Sequence, residues 1–380
     1  MLHKQDLFEA RTHGYKTFRI PGIAVTKNNV VLATCEARPG GGGDYDFNDI
    51  LIRRSTDGGE TFDPFVKQVD HTTYGPGPVS NFVMIPDWKT GRVHVVFCHD
   101  YERVFHMFSD DDGATFSDPV EITTTFELFR EEYSWRVCAT GPGHGLQLRD
   151  GRLLVPVWLS DSSANDFGPG HRGHRPSIVA SVYSDDNGTT WRRGGIVCGN
   201  GDTVEGSTVV NPSETVAVEL ENGSVLFNMR SESMNNRRLV AVSPDGATDW
   251  QIRGFDPVVN EPVCMGSLIR HSWSGEGAPG QIVFANPDTL DKEMRRVIDP
   301  ELKRQSHCDR KNLTVRVSED ECQSWVLSRV IEPGPAGYSD LAVLQDGTIL
   351  CLYECDIVER IHDDRYLRLA RFNPDWVAAG

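Results

Sequence analysis

Ser55-Thr56-Asp57-Gly58-Gly59-Glu60-Thr61-Phe62 is the stretch whose reading decides the fold. Its pattern, S-x-D-x-G-x-T followed by Phe or Trp, returns as Ser109-Asp110-Asp111-Asp112-Gly113-Ala114-Thr115-Phe116 and as Ser184-Asp185-Asp186-Asn187-Gly188-Thr189-Thr190-Trp191. A fourth copy, Ser318-Glu319-Asp320-Glu321-Cys322-Gln323-Ser324-Trp325, loses the glycine and the threonine. A fifth, Ser243-Pro244-Asp245-Gly246-Ala247-Thr248-Asp249-Trp250, keeps only serine, aspartate and the aromatic. Each copy reads as a tight hairpin turn. The aspartate folds back onto backbone N–H groups, the glycine takes positive φ and the aromatic anchors the turn in the core.

The first serines stand at 55, 109, 184, 243 and 318, a spacing that leaves room for a four-stranded sheet and its loops between copies. Five marked units, with sequence before the first and after the last, predict an all-β, six-bladed β-propeller of aspartate-box (BNR) repeats. It closes through both termini and takes residues 1–380 as a single domain. The alternating runs Val93–Phe97, Leu153–Val157, Val225–Asn228 and Ile349–Tyr353 supply strands at the right places. No window between the turns sustains a helical apolar stripe.

Composition agrees and excludes other classes. Glycine (36) and proline (21) are spread along the chain, as many short strands joined by turns require. A net charge of -17 without a basic run argues against nucleic acid, whose phosphates need clustered Lys and Arg. Nine cysteines, an odd number without CxxC spacing, read as buried free thiols of a reducing compartment. The start, MLHKQDLFEARTHGYKTF, has no apolar leader, and no stretch approaches a membrane span. The chain as written is expected to be cytoplasmic and away from the membrane. It is secreted or periplasmic if a leader has been removed, which would give the sequons at Asn187, Asn222 and Asn312 a meaning. Oligomeric state is not legible.

The boxes, together with Phe18-Arg19-Ile20-Pro21, Gly141-Pro142-Gly143-His144-Gly145, Asn228-Met229-Arg230-Ser231, Arg310-Lys311-Asn312-Leu313-Thr314-Val315 and Tyr338-Ser339-Asp340-Leu341, resemble the bacterial sialidase (neuraminidase) family, glycoside hydrolase family 33. The resemblance runs along nearly the whole chain. It implies a six-bladed propeller with its boxes far from a central funnel that carries the catalytic groups. The activity it implies is a retaining exo-α-sialidase acting on terminal α-linked sialic acids of sialylated glycans.

The chemistry of such a substrate can be matched to residues one by one. Its carboxylate calls for guanidinium forks, and Arg19, Arg230 and Arg310 match the family's arginine triad. Taken singly, an arginine at a strand end is ordinarily a surface charge. Three on separate family motifs reverse that weighting. Glu354 is similar to the glutamate that orients the first arginine, and Arg38 to a further arginine at the rim. Most glycosidases use a carboxylate nucleophile, with sialidases the exception. An anion would approach a centre already bearing a carboxylate, whereas a phenol deprotonated during attack avoids that repulsion. Tyr338 matches this nucleophile and Glu214 its base, with Glu205 as the rival base. The acid/base aspartate falls in the loop after Gly40–Gly43, where Asp44 best matches the family spacing and Asp46 and Asp49 stay open.

No cofactor or metal is implied: His171 and His174 lack companion ligands, and His144 reads as a buried structural histidine. The alternatives are a trans-sialidase or an anhydro-forming sialidase, which use the same residues, and a non-catalytic sialic-acid-binding propeller, which needs only the arginines.

Overall fold

The computed structural model describes residues 1–164, 171–275, 277–292, 308–359 and 363–380. Its strands form antiparallel meanders that follow one another along the chain. The first sheet holds Thr17–Val25, Val31–Arg38, Asp49–Ser55 and Val66–Val69; the second holds Val79–Pro86, Val93–His99, Arg103–Ser109 and Val120–Glu121. The third is built on Val137–Thr140, Leu153–Ser160, Ser177–Ser184 and Arg192–Gly199, with Leu146–Gln147 added against Leu153 and Leu154. The fourth holds Thr215–Glu219, Val225–Met229, Arg237–Ser243 and Gln251–Asn260. These four sheets stand as blades of a propeller-like ring.

A seven-stranded sheet completes the chain, running from Ser267–Ser272 through Gln281–Pro287, Lys311–Ser318, Leu327–Val343, Ile349–Ile357 and Asp364–Phe372 to the N-terminal strand His3–Glu9. The long strand Leu327–Val343 serves two neighbours. Leu327 to Pro335 pair with Lys311–Ser318, and Ala336 to Val343 pair with Ile349–Ile357.

All four strand runs read from the sequence lie in strands, but they are buried on both faces rather than alternating. The reason is packing of sheet on sheet. Val31, Ala33 and Leu51 of the first sheet pack with Leu350 and Leu369 of the seven-stranded one. Leu32 and Ile50 pack with Val95 and Phe97 of the second, Val83 and Val96 with Val155 and Ala180 of the third, and Leu154 and Val179 with Phe227 and Leu239 of the fourth. Val218 and Leu226 then meet Ile282 and Phe284. Inside the seven-stranded sheet, Val283 and Val315 meet Leu341, Ile349 and Ala370. An inner strand therefore has no wet face, and period 2 disappears from its sequence.

All five boxes form turns. In the first, Asp57 accepts from Ser55 Oγ, Glu60 N and both N and Oγ1 of Thr61, while Ser55 Oγ accepts from Gly59 N. The fifth copy makes the same turn one residue tighter: Gly246 N reaches Ser243 Oγ, and Asp245 caps Ala247 N and Thr248 N. In the fourth, Cys322 occupies the glycine position at φ +61°.

The boxes also dock on neighbouring sheets. A Cβ on Gly113 would lie 2.7 Å from Leu32, one on Gly188 2.7 Å from His94, one on Gly246 2.7 Å from Leu154 and one on Gly59 3.5 Å from Leu369. At Gly113, Gly188 and Gly246 glycine is thus favoured twice over, by positive φ and by the close approach of the adjacent sheet, whereas at Gly59 the contact is an ordinary one and positive φ alone asks for glycine. None of the nine cysteines, all of them among the described residues, forms a disulfide, and eight are buried.

Candidate active site

Strand irregularities aim the candidate residues. Phe18 and Arg19 pair in register with Ala37 and Glu36, but the ladder shifts before Gly22. At that bulge Ile20 sits at φ +56°, an expensive conformation for a β-branched residue, and Pro21 contributes no donor. Ile20 packs on Cys264, Met265 and Tyr338. The bulge turns Arg19 inward. Asn81 (φ +54°), Val263 (φ +63°) and Asn312 (φ +60°) show the same strain beside other members of the group. Such strain persists only where surrounding contacts hold it, and it gathers at functional sites.

Arg19 donates from Nε to Glu354 Oε1 and from Nη2 to Glu354 Oε2, both at 3.1 Å. Glu354 also accepts from Ile20 N at 3.1 Å and Tyr338 N at 3.0 Å. One carboxylate thereby fixes the first arginine, the bulge and the tyrosine backbone. Burial would push Glu354 up, but Arg19 outweighs it and the carboxyl sits below its usual range.

Arg230 and Glu214 face each other across neighbouring strand ends, their backbones joined by Arg230 N to Glu214 O at 3.0 Å. Arg230 Nη1 donates to Glu214 Oε2 and, at 2.7 Å, to the Tyr338 hydroxyl. That hydroxyl donates in turn to Glu214 Oε1. Arg310 donates from Nη2 to Val263 O at 2.8 Å, and its guanidinium carbon lies 4.9 Å from the Tyr338 ring centre, with that of Arg19 at 5.3 Å. Tyr338 is 5% exposed and touches all three arginines. Burial raises its phenol far above the usual value; Arg230 and Arg310 oppose this, while Glu214 adds to it. The resting phenol is neutral at physiological pH.

The loop aspartates have separate partners. Asp44 Oδ1 accepts from Arg38 Nη1 at 2.9 Å, and a third of the Asp44 side chain is exposed. Burial opposes its ionisation, but Arg38, His174 and Arg19 together hold it well below the usual carboxyl range. Arg38 is itself buried on Glu36, at 2.6 Å. Asp46 caps the loop through Gly42 N and Gly43 N. Asp49 is taken up by Tyr15 Oη at 2.7 Å, Lys67 Nζ at 2.8 Å and His71 Nδ1 at 2.7 Å. Asp49, Asp70 and His71 converge closely enough to hold a metal, yet Lys67 already supplies the cation there.

Glu205 is exposed, with its carboxylate beside Gly254, and Glu219 pairs with Arg149 at 3.0 Å. His174 packs against Tyr45, Tyr101 and Trp158 next to Asp44, a place its loop sequence did not signal. His144 is held on Asp340 at 2.7 Å. A cavity of about 560 Å³ is lined by Leu341, Leu344, His144 and Trp273 among others, and none of the candidate residues lines it.

Fold and site together define a propeller-like protein with three arginines gathered on a buried tyrosine–glutamate pair. Residues 83–351 match the BNR repeat-like domain family. The chain is 29% identical to a sialidase of Micromonospora viridifaciens over 98% of its own length and 54% of that protein's. Among solved structures it resembles the Hadza microbial sialidase Hz136 (TM-score 0.77, 22% identity, 98% of this chain and 69% of that one). It also resembles the intramolecular trans-sialidase of Ruminococcus gnavus (TM-score 0.71, 17% identity, 98% of both chains). The chain belongs to the BNR repeat-like domain family. It spans little more than half of the Micromonospora relative.

Proposed function

We propose that this protein is a retaining exo-α-sialidase that releases terminal α-linked sialic acids from sialylated glycans, with Tyr338 as nucleophile. The observation that carries the reading is the hydrogen-bonded Tyr338–Glu214 pair enclosed by Arg19, Arg230 and Arg310. The reading includes the blade count: the seven-stranded sheet, folded on itself about Leu327–Val343, serves as two blades, giving six around one axis in a single domain.

In this mechanism the arginines grip the substrate carboxylate, which offsets the charge on Arg19. Arg19 is one of the cations that keep Asp44 ionised, so binding raises the proton affinity of Asp44 and prepares it as the acid. Tyr338 Oη attacks the anomeric carbon as its proton passes to Glu214, and the glycosidic bond breaks with Asp44 protonating the leaving oxygen. Water, deprotonated by Asp44, then displaces the tyrosine, which recovers its proton from Glu214. Arg230 lies on the phenol oxygen through both steps and stabilises the charge passing over it.

A second reading, transfer to another acceptor or internal release of an anhydro-sugar, is supported by the fold match to the Ruminococcus gnavus protein over 98% of both chains. It needs the same residues. Incubation with a fluorogenic sialoside beside neutral aryl glycosides tests the proposal. Release from the sialoside alone is expected, and release from neutral glycosides alone would reject it.

A further inference from the structure

We propose that Asp364 is a positioning residue for Arg19 whose own proton sets how strongly the funnel grips a carboxylate. The inference rests on the sialidase reading for its substrate but not for its geometry. Asp364 begins the strand Asp364–Phe372 opposite Ile357 and is 8% exposed. Its Oδ2 lies 3.5 Å from Arg19 Nε and, among the described residues, has no hydrogen-bond partner. The single proton on that Nε already goes to Glu354 Oε1.

Two buried carboxylates therefore share one guanidinium, and they are served unequally. Glu354 collects both Arg19 contacts and two backbone N–H groups. Like charges forced together cannot both ionise cheaply, so the better-served group takes the charge and the other keeps the proton. Burial and then Glu354 push Asp364 up to about 7, against Arg19 and Arg310. Among the described residues, the charged groups on either side of it are otherwise engaged: Asp363 pairs with Arg11 at 3.2 Å, and Arg365 points toward Glu9 at 3.9 Å.

The consequence is a change in charge where the ligand carboxylate must sit. With Asp364 neutral, Arg19 and Glu354 cancel, and Arg310 and Arg230 face an incoming anion unopposed by it. With Asp364 ionised, the trio carries a net negative charge that repels the same anion. Affinity for an anionic substrate is thus lost as pH rises through neutrality, and binding of such a substrate tightens the proton on Asp364 by the same factor.

The folded-state pKa of Asp364 lies above the ordinary Asp value. Its protonated form therefore adds stability that is fully present below about pH 4 and is lost as pH climbs towards 7.

The test uses the full chain and Asp364→Asn. With a fluorogenic sialoside between pH 5.5 and 8.5, the KM of the wild type is expected to rise about five- to tenfold, the rise falling in KM rather than kcat. The KM of Asp364→Asn is expected to stay level. Asp364→Asn should melt higher than the wild type at pH 8 and level with it at pH 4. In carbon-13 spectra of aspartate-labelled protein, the carboxyl resonance missing from Asp364→Asn should titrate near neutrality. A variant KM that climbs with that of the wild type, or a resonance that titrates in the ordinary carboxylate range, would overturn the proposal. Absence of turnover on every sialoside would sink the functional reading instead, and the spectra and melting curves would still decide Asp364.

Discussion

A guanidinium fork and a point ammonium differ most where a planar carboxylate is held from several sides. Arg310 has one Nη on Val263 O and its plane near the Tyr338 ring, which leaves the other end of the fork for a ligand. Arg310→Lys keeps the charge and loses the fork, so kcat/KM is expected to fall about 10- to 100-fold in steady-state kinetics. Wild-type kinetics would remove Arg310 from the triad. Asp44 is tested by its leaving group. Asp44→Ala should lose most activity on natural glycans yet keep much of it on an aryl sialoside whose phenol departs without a proton. Equal losses on both would assign the acid elsewhere. Arg19, Arg230, Arg310 and Tyr338 were legible because each sits in a short motif. Asp364 and the His174 stack were not, because their meaning comes from contacts between remote parts of the chain and their own neighbourhoods carry no motif.

Among elements, the box is both a turn and a joint between sheets. Asp57→Ala removes the acceptor for Glu60 N and Thr61 N at an exposed corner, and should lower the melting temperature by about 1–3 °C with turnover per folded molecule unchanged. Gly188→Ala places a Cβ at φ +77° and 2.7 Å from His94 Nδ1, so it should cost more, roughly 1–3 kcal/mol in denaturant unfolding. If Gly188→Ala proved milder than Asp57→Ala, the box would be a turn alone. The eight-residue pattern showed the turn plainly, since Asp, Gly and Thr act within it. It hid the joint, because Leu32, His94 and Leu154 belong to other repeats.

For the whole molecule, the ring depends on its joints, and one of them is titratable. His94 and His106 stack between the second and third sheets, with Nδ1 of His94 3.1 Å from Nε2 of His106 and the other His94 nitrogen 3.0 Å from Asn187 of the third box. Burial lowers His94, and burial together with His94 takes His106 down to about 3. The neutral pair is stable above the ordinary histidine value, and that contribution is lost as pH falls from about 6.5 towards 3. Melting curves should show the wild type losing more stability over that window than His106→Leu; parallel losses would remove the pair as an acid-sensitive joint. The repeat spacing revealed the four consecutive blades, whereas the sharing of Leu327–Val343 between neighbours was hidden, because Pro333-Gly334-Pro335, with Gly334 at φ +84°, reads as a turn although the strand runs on through it.

The central claim, covalent attack by Tyr338, predicts two inversions at the anomeric carbon. Proton NMR on an α-sialoside, read before mutarotation, should show the α-anomer, or an anhydro-sugar retaining that configuration, as the first product, with Tyr338→Phe largely silent. A β-anomer appearing first, or normal turnover by Tyr338→Phe, would contradict it.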